Sequence, residues 1–306
     1  VGGANPYQAC EEYNSSINAI TQSAWSSTPN INTSRRFLGG TGTATAGLVF
    51  GGFQTNPAVN IADSEEYNGS SWSEGNNLNT ARRGIEGFGT QTAGVGVGGF
   101  PPPGTLTEHY DGSSWTNATA FSTARMDMFG SAGTQTAGLI FGGSSSVNTE
   151  SYDGSSWSEV NNLPTGIGNA RGNGTQTAAL SMGGSTPAPA ILDATNEWDG
   201  SNWTAGGAML FAGSKMAAFG TQTEGYSVGG IFPARTPTNN LTQEYNGTAW
   251  AVDANIATGR NAMGPANSAG STGLVAGGDA GPAPSNASEA FTAGTSVVTA
   301  STLTTS

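Results

Sequence analysis

The chain has 306 residues, 48 of them glycine and only 10% charged, with a formal net charge of −12. That acidity, with Lys215 as the single lysine, excludes phosphate backbones as natural ligands, because their binding rests on Lys and Arg. One cysteine (Cys10) rules out an internal disulfide, one histidine (His109) leaves zinc or copper without a ligand set, and no apolar run approaches the ~20 residues of a membrane-spanning helix.

The doublet Gly-Gly recurs at Gly2-Gly3, Gly51-Gly52, Gly98-Gly99, Gly142-Gly143, Gly183-Gly184, Gly229-Gly230 and Gly277-Gly278, at intervals of 41 to 49 residues. A fixed period of this size marks a repeat architecture. Residues 1–35, with Gly2-Gly3, Tyr13 and Trp25, read as a partial first blade, and residues 36–303 as six full repeats. The unit is clearest over residues 125–163. It runs from Arg125 through the turn Gly133-Thr134-Gln135-Thr136 and the apolar strand 137–141 to Gly142-Gly143. Glu150-Ser151-Tyr152, Asp153-Gly154 and Trp157 then follow. A basic residue opens the copies at Arg36, Arg83, Arg125, Arg171, Lys215 and Arg260. Asn68-Gly69, Asp111-Gly112, Asp153-Gly154, Asp199-Gly200 and Asn246-Gly247 are hairpin dipeptides that supply the positive φ of tight turns. Each unit therefore predicts four short strands, and nowhere does an apolar stripe repeat at helical spacing. The expected fold is an all-β, seven-bladed β-propeller of four-stranded antiparallel blades forming a single unit over 1–306, with the first blade incomplete. Residues 301–306 resemble the stretch before a basic anchor and offer a closing strand. An upstream segment is an equal source, since Val1 falls in mid-strand.

The order basic residue, apolar strand, Gly-Gly, Glu-x-Tyr, Asp-Gly and Trp resembles the kelch repeat and covers nearly the whole chain. At the last copy Phe291 replaces Tyr and no Trp follows. The resemblance implies a propeller and a binding role. In style, the near-identical Gly/Ser/Thr/Asn-rich copies are similar to kelch-like proteins of phage and marine-bacterial origin.

Alternating strand direction assigns the Gly-Thr-Gln-Thr and Asp-Gly turns to one face, where they barely vary. The loops after each Gly-Gly go to the other face and differ in length. They carry Phe53, Phe100, Pro102, Ile191, Phe232 and Pro233, which read as exposed apolar candidates for a binding surface on a stiff scaffold. The six basic anchors form a second candidate, a ring about the axis able to grip an acidic group. The alternative is that each pairs with a carboxylate of the Glu-x-Tyr segment (Glu65, Glu108, Glu150). His109 stands at the x of Glu-x-Tyr, where other copies carry Glu66 or Ser151, so it marks a blade position rather than a catalyst. The expectation is a non-enzymatic module without cofactor or metal, extracellular or on a virion surface. It would bind a cell-surface glycan or other structural proteins, neither nucleic acid nor membrane, with a homo-oligomer compatible. The alternatives are a kelch adaptor for a peptide partner and, more remotely, a carbohydrate-active enzyme built on a carboxylate pair.

Overall fold

The computed structural model describes residues 19–187, 190–233, 238–266, 270–281 and 283–297. Its strands form six four-stranded antiparallel sheets, and no helix occurs among the described residues. Blade 1 consists of Gly39–Thr43, Ala46–Phe50, Ser64–Tyr67 and Trp72–Glu74, from the axis outward. Blades 2 to 5 repeat this order over 86–118, 130–160, 171–205 and 217–253. Neighbouring inner strands contact one another all the way round, including Gly264–Ala266 of blade 6 against Gly39–Thr43 of blade 1.

The expected seventh blade is corrected to six. Blade 6 takes Gly264–Ala266, Thr272–Ala276 and Ser288–Thr292 from the last repeat. Its outermost strand is Ala24–Thr28, from the other end of the chain, with Trp25 opposite Phe291. The partial first repeat and the last of the six repeats expected to be full are thus two parts of one blade, and Trp25 is the tryptophan missing from the last copy. Gly2-Gly3, Cys10, Tyr13 and the proposed closing strand 301–306 lie outside the described residues.

Among the described residues there is no single central core. Six apolar clusters occupy the six blade junctions, each drawing side chains from two adjacent blades; Leu48, Phe50, Leu78, Ile85, Tyr110 and Trp115, for example, join blades 1 and 2. Inside every blade the aromatic of the third strand leans on the tryptophan of the fourth, with ring centroids 4.6–5.3 Å apart from Tyr152–Trp157 to Trp198–Trp203. The indole N–H then reaches back to a hydroxyl of the preceding blade: Trp115 to Ser64 at 2.9 Å, Trp203 to Thr149 at 3.0 Å, Trp250 to Thr195 at 2.9 Å and Trp25 to Thr242 at 3.0 Å. A buried N–H needs such a partner. Trp72 breaks the series: its equivalent acceptor, Ser288, is engaged with Thr28 of the closing strand at 2.6 Å, and Trp72 Nε1 has no partner among the described residues.

The invariant turn face is explained by its glutamines. Gln91, Gln135, Gln176 and Gln222 each donate to two backbone carbonyls of the preceding blade, as Gln135 does to Gly94 O at 3.0 Å and Tyr110 O at 2.9 Å. Gln135→Ala should lower stability by about 1–3 kcal/mol by leaving two carbonyls without their donor, read as a lower urea midpoint; an unchanged midpoint would refute the stapling role. The Asp-Gly turns are closed by the aspartate itself. Asp111 accepts from Ser113 N and Ser114 N at 2.8 and 2.7 Å, and these bonds lower its pKa to about 2.

Candidate functional site

Each of the six described Gly-Gly doublets stands where a strand leaves the sheet and meets the chain opening the next blade. Both glycines have positive φ in all six blades, and a Cβ on Gly51 would stand 2.7 Å from Arg82 O. The second glycine donates its N–H to one carbonyl of that opening segment: Arg82, Arg125, Ile167, Gly213, Arg260 and, closing the ring, Arg35, all at 2.7–2.8 Å. These bonds define the true register of the anchor.

The anchors are therefore Arg35, Arg82, Arg125 and Arg260, with Ile167 and Gly213 in blades 4 and 5. Each of the four arginines pairs with the Glu-x-Tyr glutamate of its own blade: Arg35–Glu65 at 2.6 Å, Arg82–Glu108 at 3.2 Å, Arg125–Glu150 at 2.7 Å and Arg260–Glu289 at 2.7 Å. Where the arginine is missing the glutamate is missing too, with Asn196 and Gln243 in its place. Burial lowers the pKa of all four arginines, Arg82 to about 10, and raises Glu65. Burial would also raise Glu150, but the bonds from Arg125 and Ser122 N outweigh it and the net direction is down. Arg125 is satisfied on every side, donating also to Gly142 O, Thr123 O and Asn148 O at 2.8–2.9 Å. These groups hold the blades and face no solvent.

The other basic residues of the expected ring are displaced from the anchor register. Counting five back from the first Gly of each inner turn (Gly42, Gly89, Gly133, Gly174, Gly220) reaches Phe37, Gly84, Met128, Asn169 and Lys215, which circle the axis with Ala262. Lys215 therefore belongs to the axial ring, and Arg36 and Arg83 immediately precede it. Backbone bonds link its members: Phe37 N to Ala262 O, Gly84 N to Phe37 O, Asn169 N to Met128 O, Lys215 N to Asn169 O and Ala262 N to Lys215 O, at 2.8–2.9 Å. Phe37, Asn169, Lys215 and Ala262 hold left-handed φ of 53–57°, a costly conformation for residues with a Cβ.

Arg171 is not an anchor either. It lies two residues past the axial ring, in a register where the other inner strands carry Gly39, Glu86, Gly130, Ala217 and Gly264. Its side chain crosses the middle of the molecule from blade 4. It donates to Met216 O of blade 5 at 2.7 Å and Met263 O of blade 6 at 2.9 Å, and pairs with Glu86 of blade 2. Burial raises Glu86 to about 7 against the opposing pull of Arg171, and lowers Arg171. The axis is thus plugged by one buried ion pair.

Above the plug, on the variable-loop face, lies a cup of about 390 Å³. Arg36, Phe37, Phe53, Arg83, Asp127, Asn169 and Lys215 contribute to its wall. The Arg83 guanidinium lies over Phe53 at 4.8 Å and over Phe100 at 4.9 Å, and Lys215 Nζ over Phe37 at 5.3 Å. Arg36 stacks on Phe53 at 5.7 Å and bonds Asp279 at 2.5 Å. An extra hairpin in the blade 1 loop, Phe53–Thr55 with Ala58–Asn60, flanks the mouth, and Asn60 accepts from Arg83 at 3.4 Å.

Of the loop candidates, Phe53 is half-buried in the wall of this cup, and Phe100 stands exposed outside the wall, with the Arg83 guanidinium over both rings. Pro102 and Pro233 are exposed and Ile191 half-buried, none of them in its wall. Phe232 is corrected: it is 4% exposed, because Gly213 leaves the space of an anchor side chain that Phe232 and Met216 fill. Phe37 and Asn169 were missed, although the five-residue count from the turn glycine finds both, while Asp127 is a carboxylate that stands outside the repeat pattern. His109 is half-buried and hydrogen-bonded to Tyr152 Oη at 3.0 Å, and burial lowers its pKa. Among the described residues no group of three His, Cys, Asp or Glu is arranged to hold a metal ion.

The propeller fold supports a binding or structural scaffold. No protein-family model matches the chain, and no curated protein is significantly similar to it.

Proposed function

We propose that the protein is a non-enzymatic recognition module of a virion or secreted surface structure, and that it binds a cell-surface glycan through its variable-loop face. The observation that carries this reading is the axial cup, where cations and aromatics from separate blades converge on the face whose loops vary. A rigid scaffold with a blind, compact pocket suits the end or a single residue of a glycan. The repeat order is that of kelch-type sequences, and its Lys-poor, Gly/Ser/Thr-rich style supports an origin among phage or marine-bacterial kelch-like proteins. Docking to a structural protein is a second reading, favoured by Val59 and Phe100, which stand 42% and 39% exposed beside the same mouth.

Screening the full chain on an array of neutral and acidic glycans tests the proposal. Phe100→Ala should weaken capture about tenfold, the loss of one exposed aromatic contact, whereas Thr136→Ala on the invariant face should leave it unchanged. Glycan binding abolished by Thr136→Ala and indifferent to Phe100→Ala would place recognition on the wrong face and overturn the reading.

A further inference from the structure

Among the described residues the wall of the cup holds three cations against one carboxylate, Asp127, and is thus net positive on a molecule whose formal net charge is −12. Of its three cations, Arg36 is neutralised by Asp279. Arg83 and Lys215 have no ion pair among the described residues, and each is steadied over aromatic rings instead. Stacking fixes a cation in place while its N–H donors stay available in the ring plane or beyond it. Lys215 reaches the site from a strained left-handed backbone, φ 54°, in a ring of hydrogen bonds that holds it there. Strain kept in place around a cavity is the arrangement expected of a preorganised binding site.

We propose that the cup is a receptor for a carboxylate-bearing sugar, a uronic or sialic-type residue; this rests on the glycan-binding reading of the loop face. Arg83 and Lys215 hold the carboxylate, Asp127 and Asn169 meet ring hydroxyls, and the exposed Phe100 ring offers an apolar face to the sugar C–H groups. Ligand charge density is decisive. The acidic molecule repels a dense polyanion at long range, so phosphate chains are disfavoured, while one carboxylate per sugar costs little on approach and meets two cations at contact. A peptide is less well served, because Arg171 blocks the axis below and an extended chain could not thread the cup.

The experiment is calorimetric titration of the full chain with galacturonate trisaccharide and with N-acetylneuraminate, using galactose as the neutral counterpart and hexaglutamate as a peptide competitor. At least one acidic sugar should bind about tenfold more tightly than galactose, and Arg83→Met and Lys215→Met should each remove about tenfold in affinity while cooperative urea unfolding is retained. Galactose binding as tightly as the acids, no acid binding at millimolar concentration, or acid binding indifferent to both substitutions overturns the proposal. Hexaglutamate outcompeting the sugars overturns it in favour of an acidic peptide. Neutral glycans captured in a Phe100-dependent way while acids fail would sink this inference and leave the loop-face reading standing. Binding lost with Thr136→Ala alone would sink both.

Discussion

Above about pH 7, where Glu86 is ionised, Arg171→Met should destabilise the fold by about 3–5 kcal/mol, the cost of leaving a buried carboxylate without its cation. The double variant Arg171→Met/Glu86→Leu should regain most of that loss, because a desolvated ion pair and an apolar pair of similar volume differ little in stability. Urea midpoints across the four-member cycle read this directly, and a double variant as weak as the single one would show that the plug acts through shape rather than charge. The pair also predicts a pH signature. Burial holds the Glu86 proton until about pH 7 in the fold, against an ordinary value of 4.5. Between these values the unfolded chain has released that proton and the folded one keeps it, so this residue makes stability fall as pH rises from 4.5 to about 7. Glu86→Gln should flatten that slope, and an unaltered slope would assign it to other groups.

Trp25→Ala should cost about 3 kcal/mol, the low end for a large aromatic because the ring is half-buried. It removes the contacts with Phe291 at 5.1 Å and Phe219 at 6.1 Å and the bond to Thr242. Its effect should spread beyond that of an equivalent change inside a continuous repeat. Hydrogen exchange should rise across Ser288–Thr292 and in blade 1, whereas Trp157→Ala should loosen only blades 2 and 3. Equal local effects from both would mean that the backbone ladder alone carries closure.

The architecture was legible because its signals are local and repeated: the Gly-Gly doublets, the Asp-Gly turns and the Tyr–Trp pairs each act within one blade. The number of blades was not, because residues 24–28 read as a piece of a separate blade and 264–292 as part of a full repeat until pairing brings Trp25 opposite Phe291. The anchor register was lost where Arg35-Arg36 and Arg82-Arg83 offer two arginines each and where Lys215 and Arg171 are basic for unrelated reasons. Reading the missing arginines of blades 4 and 5 together with Asn196 and Gln243 would have restored it. Phe53 and Phe100 were visible as apolar loop residues, but their meeting at Arg83 depends on how far each blade's loop leans over the axis, which the repeat pattern does not encode. Phe232 follows Gly-Gly as they do, yet turns inward because its neighbour Gly213 leaves room.

The closing strand also sets an order of events during synthesis. Trp25 leaves the ribosome 266 residues ahead of Phe291, a delay on the order of tens of seconds at ordinary elongation rates. Throughout that interval Ala24–Thr28 has no partner strand to join, and the growing stack of blades is an open arc with bare apolar surfaces at both ends. Blades 1 to 5 can assemble while translation continues; the ring can shut only once the last repeat is out, which makes this final docking the step most exposed to misassembly between neighbouring nascent chains.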